Sequence, residues 1–194
     1  MNRKDIIETL QKQGGFMTTG EVKSRGDYEH LRRATVDGTL MRIRQGVYAE
    51  TSALANNMID VQRIVPNGVL CLYSAFAHYG LSTNVPAATC IAIDAKRKVR
   101  LPEYPPIDLY YWKKENLEFG VVEKEISGYK VLITDMERSV CDAVKYRNKI
   151  GLDVCGEVID NYLKNENRNI TLLHEYAGRL RVKNILTKYL ETRL

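Results

Sequence analysis

No run of apolar residues in this chain approaches the roughly 20 that a membrane helix needs. The opening stretch, Met1–Gly15, is charged and amphipathic and lacks the apolar core of a signal peptide. Both absences point to a cytoplasmic protein with no membrane partner. Metal-binding spacings are missing as well. The four cysteines (Cys71, Cys90, Cys141, Cys155) and three histidines (His30, His78, His174) are scattered, with no cysteine pair at the short spacing of a zinc site. Cysteines set far apart among apolar neighbours read as buried free thiols in a reducing compartment. The chain also lacks a Gly-x-Ser-x-Gly elbow, a glycine-rich phosphate loop, internal repeats and low-complexity stretches. No catalytic residue, metal or cofactor is expected.

What is present is globular material. The 194 residues are 44% hydrophobic and 27% charged, enough for a packed core in one or two domains. A net charge of +5 is compatible with a nucleic-acid partner without requiring one. The basic residues are unevenly spread: four fall within Lys96-Arg97-Lys98-Val99-Arg100, and the stretch from Arg168 onward is basic again.

The first fifty residues read as three short helices and a hairpin. Asn2 caps a helix bearing Ile6, Ile7 and Leu10 on one stripe, and Gly14-Gly15 stops it. Thr18–Glu21 (TTGE) has the capping-box pattern and opens a second helix carrying Val22. Gly26 breaks that helix. Asp27 then caps a third, with Tyr28, Leu31 and Ala34/Thr35 on one face and Glu29, Arg32, Arg33 and Val36 elsewhere. After Gly38, strict alternation would put Arg42 and Arg44 on one face of a strand and Met41 and Ile43 on the other. Gln45-Gly46 turns the chain into Val47-Tyr48. This is the order of a winged helix-turn-helix, a DNA-binding fold.

Thr51–Asn57 reads as a connector. Beyond it we expect a helix with Val61, Ile64 and Val65, and a buried helix over Val69–Tyr79. Strands follow over Thr89–Asp94, Ile107–Trp112, Phe119–Glu123 and Tyr129–Thr134. A capping box at Thr134–Glu137 opens a helix through Tyr146, and helices near 153–164, 170–180 and 182–192 complete the chain. The whole is an α+β protein: a winged helix-turn-helix over residues 1–50, then a larger mixed α/β domain over 58–194 with a small sheet and C-terminal helices.

A recognition helix is buried on one side and offers polar groups to base edges on the other. Arg32 and Arg33 suit guanine, whose N7 and O6 accept the planar guanidinium fork. Arg42 and Arg44 in the wing suit phosphates, which fix register without reading sequence. Lys96, Arg97 and Lys98 read as a solvated basic loop, or as extra phosphate contacts. One pattern points instead to a metal-dependent nuclease: Asp94-Ala95-Lys96 at a strand end. No second acid lies in Leu81–Cys90, so the oxygen ligand set is incomplete. Some winged helices bind protein, which keeps direct partner binding as an alternative.

Three segments carry a family resemblance. Gly38–Tyr48 (GTLMRIRQGVY), Val69–Leu81 (VLCLYSAFAHYGL) and Ile133–Val144 (ITDMERSVCDAV) resemble, in that order, segments of the AbiEi antitoxins of type IV toxin–antitoxin and abortive-infection systems. The resemblance implies an N-terminal winged domain that represses its own operon at inverted repeats in promoter DNA. It implies a C-terminal antitoxin domain opposing a nucleotidyltransferase-like toxin without a stable complex between the two. Carried over by position, the DNA-facing residues are Arg32, Arg33, Arg42 and Arg44. Tyr73, Ser74, His78, Asp135, Arg138 and Asp142 are the polar members of the two later segments and are nominated for antitoxin function. Local roles compete for them: Ser74 and His78 could satisfy one another's hydrogen bonds, and an acid at Asp135 suits a helix N-terminus.

Overall fold

A computed structural model of the chain describes residues 8–10, 16–22, 24–51, 61–101, 105–126 and 128–193. Two small sheets and a set of C-terminal helices make up a mixed α/β architecture. The chain divides into two compact units: one built on residues to Pro66 with 98–107 and 126–129, the other on 67–97, 108–125 and 130–194.

In the first unit, residues 8–10 are helical and Leu10 is buried. The expected cap at Asn2, the stripe residues Ile6 and Ile7, and the stop at Gly14-Gly15 lie outside the described residues. Strand β1 (Phe16–Thr18) follows, then one 3₁₀ turn over Thr19–Glu21 where a second helix was expected. The capping pattern is used: the Thr18 amide donates to Glu21 Oε2 at 2.6 Å. It ends there because Val22 is already extended.

Helix α1 (Arg25–Val36) starts earlier than Asp27. Ser24 is its N-cap, its hydroxyl accepting the Asp27 amide at 3.2 Å, so Gly26 and Asp27 sit inside the first turn and do not break or cap anything. Its buried face is Asp27, Leu31 and Ala34. Tyr28, expected inward, is 45% exposed.

Strands β2 (Leu40–Arg44) and β3 (Val47–Glu50) form an antiparallel hairpin, and β1 pairs with the far side of β3. Gly46 turns the hairpin with φ +79°, and its carbonyl accepts the Thr19 amide at 2.8 Å. The register slips between Arg42, opposite Tyr48, and Arg44, opposite Val47. That bulge defeats the strict alternation expected for this strand. Leu40 and Ile43 turn inward, whereas Met41 and Arg42 are both exposed. The core of this unit is Leu10, Met17, Leu31, Ala34, Leu40 and Tyr48, with Val22 packed against it. Burying a side chain such as Leu31 stabilises by roughly 2 kcal/mol.

Short helix α2 (Val61–Ile64) falls where the apolar spacing put it, while the connector beyond Thr51 lies outside the described residues. The expected helix over Val69–Tyr79 divides. Val69–Leu70 is strand β4, Leu72 is a buried elbow at φ +46°, and only Tyr73–Tyr79 is helix α3. An apolar run of this length does not tell a buried strand from a buried helix by its periodicity.

Strands β5 (Thr89–Asp94) and β6 (Ile107–Trp112), the short helix α4 (Lys114–Leu117), and strands β7 (Val121–Ile126) and β8 (Tyr129–Thr134) follow. The sheet order is β6-β5-β4-β8-β7, with β4 antiparallel to β5 and parallel to β8. Helices α5 (Met136–Lys145), α6 (Arg147–Ile150), α7 (Leu152–Lys164), α8 (Ile170–Arg179) and α9 (Lys183–Glu191) complete the unit. The cap of α5 is Asp135, which accepts the Arg138 amide at 2.7 Å. Thr134, expected as the cap, is buried, with its hydroxyl 2.8 Å from Ser139 Oγ. A single apolar cluster runs from Val69 and Phe76 through Val140, Val144 and Ile159 to Leu186. The four cysteines are buried and free. Among the described residues no helix is long and apolar enough to cross a membrane.

Candidate nucleic-acid interface

The candidate surface is the outer side of α1. Arg25, Glu29, Arg32 and Val36 are all exposed. Their spacing of i, i+4, i+7 and i+11 keeps them within about 60° of one another at 3.6 residues per turn. The buried residues Asp27, Leu31 and Ala34 point the opposite way, so packing of the inner face fixes the direction of the outer one. Arg33 and Tyr28 flank the stripe and are exposed. Val36 is 83% exposed, and an apolar side chain so open gains nothing from the core.

Arg32 therefore stands at the centre of the surface and Arg33 at its border. Arg25 joins them, a residue the sequence reading passed over because it began the helix at Asp27. Ser24, three residues before an acid, was the available signal for the earlier start. In the hairpin Arg42 is exposed, opposite Tyr48. The Arg44 backbone lies past the bulge, opposite Val47. Guanidinium groups on an exposed helix stripe can take guanine edges or phosphate oxygens, and one on a hairpin can take phosphates.

Lys96, Arg97 and Lys98 follow β5. The Lys96 amide donates to Asp94 Oδ1 at 2.8 Å and the Arg97 amide to the Asp94 carbonyl at 2.9 Å. Asp94 thus closes a turn. Among the described residues no group of three His, Cys, Asp or Glu could hold a metal ion.

The residues nominated for antitoxin function separate into two places within the second unit. On α3, the Tyr73 hydroxyl donates to the Ile150 carbonyl at 2.9 Å, and Ser74 Oγ accepts the Cys90 amide at 2.9 Å. Ser74 is thus occupied by β5 and not by His78. His78 is largely exposed, edge-on to Tyr79 at 4.8 Å, and partial desolvation of its ring, followed by the charge of Lys124, lowers its pKa.

Asp135, Arg138 and Asp142 come together on α5. Arg138 has no exposed surface, and its Nε donates to both oxygens of Asp142 at 3.1 Å. Its Nη1 donates to the carbonyls of Asn116 (2.9 Å) and Phe119 (3.0 Å), and the guanidinium lies against the Trp112 and Phe119 rings. Burial pushes the Asp142 carboxyl up to about 6, with the Arg138 charge pulling the other way. Asp135 is also raised by burial and accepts from the Tyr176 hydroxyl at 3.1 Å.

Three participants were not nominated as site residues from sequence, Glu137 having been read only as the end of a capping box. Glu137 accepts from the Tyr162 hydroxyl (3.2 Å) and the Asn169 amide (2.8 Å), tying α5 to α7 and to the start of α8. Gly120 has φ +62°, and a Cβ there would stand 2.7 Å from Arg138 Cβ. Tyr176 is raised to about 12 by burial and then by the nearby Asp135 charge. Long-range partners of this kind leave no local spacing to read.

The small helix–sheet unit thus carries an exposed, arginine-bearing helix stripe, a surface that suits a polyanionic partner such as DNA. Residues 4–51 match the family model described as transcriptional regulator, AbiEi antitoxin. The match covers the N-terminal quarter of the chain, which is thus similar to the AbiEi antitoxin regulators over that segment. No curated protein matches the chain.

Proposed function

We propose that residues 1–50 form a winged helix-turn-helix that represses the protein's own operon by binding inverted repeats in the promoter. On this reading α1 is the recognition helix and the β2–β3 hairpin is the wing. Arg25 and Arg32 face base edges, Arg33 flanks them, and Arg42 and Arg44 hold phosphates. Residues 58–194 then supply the antitoxin activity, opposing a nucleotidyltransferase-like toxin without a stable complex. The observation that carries the reading is the exposed stripe of α1, set opposite the residues that anchor the helix in its core.

The test is a titration of the full chain against the duplex upstream of its gene, at two salt concentrations, with a scrambled duplex as control. Tight binding to the native duplex alone, weakening as salt rises, is expected, because each neutralised phosphate releases counterions. Replacing Arg32 and Arg33 together by alanine should abolish specific binding and leave the melting temperature nearly unchanged. Equal, weak binding to both duplexes would overturn the reading. Stoichiometric co-purification with the toxin would replace it with direct protein binding.

A further inference from the structure

The exposed stripe of α1 holds two residues that general attraction to DNA does not explain. Glu29 lies between Arg25, four residues before it, and Arg32, three after, and has no ion pair among the described residues. A carboxylate aimed at a phosphate-lined groove is repelled unless something there donates to it. In the major groove that donor is the exocyclic amine of cytosine. Val36 lies seven residues beyond Glu29 on the same stripe, 83% exposed at the helix end. A β-branched side chain there has neither helix propensity nor burial in its favour. The apolar group that a major groove offers is the 5-methyl of thymine.

We propose that Glu29 and Val36 are specificity-determining residues, the first selecting cytosine and the second the methyl group of thymine. Seven residues of α-helix span roughly 10 Å, which at 3.4 Å per base pair places the two bases about three base pairs apart. Arg25 and Arg32, on the same stripe, take positions beside them. The half-site is therefore read in mixed chemistry: an acceptor and a methyl contact interleaved with guanidinium forks. A purely basic stripe would bind more tightly and discriminate less. The inference rests on the DNA-binding reading of α1.

Selection of duplexes from a randomised pool by the full-length protein tests it. The expected sites carry a cytosine and a thymine about three base pairs apart. The Glu29→Gln variant should lose about tenfold of cytosine preference while binding unrelated duplexes more tightly, since a negative charge has left the surface. Replacing the selected thymine by deoxyuridine should weaken wild-type binding about fourfold, the worth of one buried methyl, and leave Val36→Ala unaffected. If wild type and Glu29→Gln enrich the same cytosine, and deoxyuridine costs nothing, the assignment is wrong although α1 still reads DNA. If no duplex is enriched over the starting pool, the DNA-binding reading itself fails and takes this one with it.

Discussion

A guanidinium with no exposed surface is held inside the second unit by one carboxylate, two backbone carbonyls and two aromatic rings. Removing one partner of a buried ion pair strands the other charge, which costs about 3–5 kcal/mol. Asp142→Ala is expected to destabilise the chain by that much in urea unfolding. Replacing both residues by apolar ones, Arg138→Met with Asp142→Leu, should recover most of the loss. The pH dependence has a definite sign. The folded-state pKa of Asp142 is raised to about 6, so between about pH 4 and 6 the folded chain holds a proton that the unfolded chain has released. The contribution of Asp142 to stability therefore falls as pH rises through this window. Melting curves of wild type and Asp142→Asn should show wild type losing stability relative to the variant from pH 4 to 7. Parallel curves would mean that Asp142 titrates in its ordinary range.

At the scale of elements, capping decides where the candidate surface begins. Ser24→Ala removes the hydroxyl that accepts the Asp27 amide and should cost about 1 kcal/mol. The first turn would fray, and Arg25 would leave the stripe, so the same variant is expected to weaken duplex binding; unchanged binding would remove Arg25 from the interface. Elements with a strong local signal were legible in the sequence. Strands Thr89–Asp94, Ile107–Trp112 and Tyr129–Thr134 stand where alternation and turn residues put them, and the last three helices lie within two residues of expectation. Elements set by tertiary pairing were not. The Ile43 bulge depends on how β2 meets β3, and the division of Val69–Tyr79 depends on β5 and β8 receiving Val69 and Leu70.

For the molecule as a whole, the candidate site was more legible than the framework of the second unit. Arg32, Arg33 and Arg42 could be named because one amphipathic helix and one hairpin carry their own orientation. Of the residues nominated for antitoxin function, only His78 is exposed; the other side chains hold the second unit together. The partners of these polar residues lie far along the chain, Ile150 for Tyr73 and Tyr176 for Asp135, so local spacing does not reveal them.

The larger sheet is joined across its middle by β4, whose two residues, Val69 and Leu70, meet Leu132 and Ile133 on one side and Ala92 and Ile91 on the other. The β4–β5 pairing closes a loop of some twenty residues, but the parallel pairing with β8 must wait until a segment about sixty residues further on is in place, and such distant pairings are entropically slow to form. Folding of the second unit thus has a built-in order. One half of the sheet can be assembled while β8 is still unmade, and until then the unpaired edge of β4 stays open to any other extended chain.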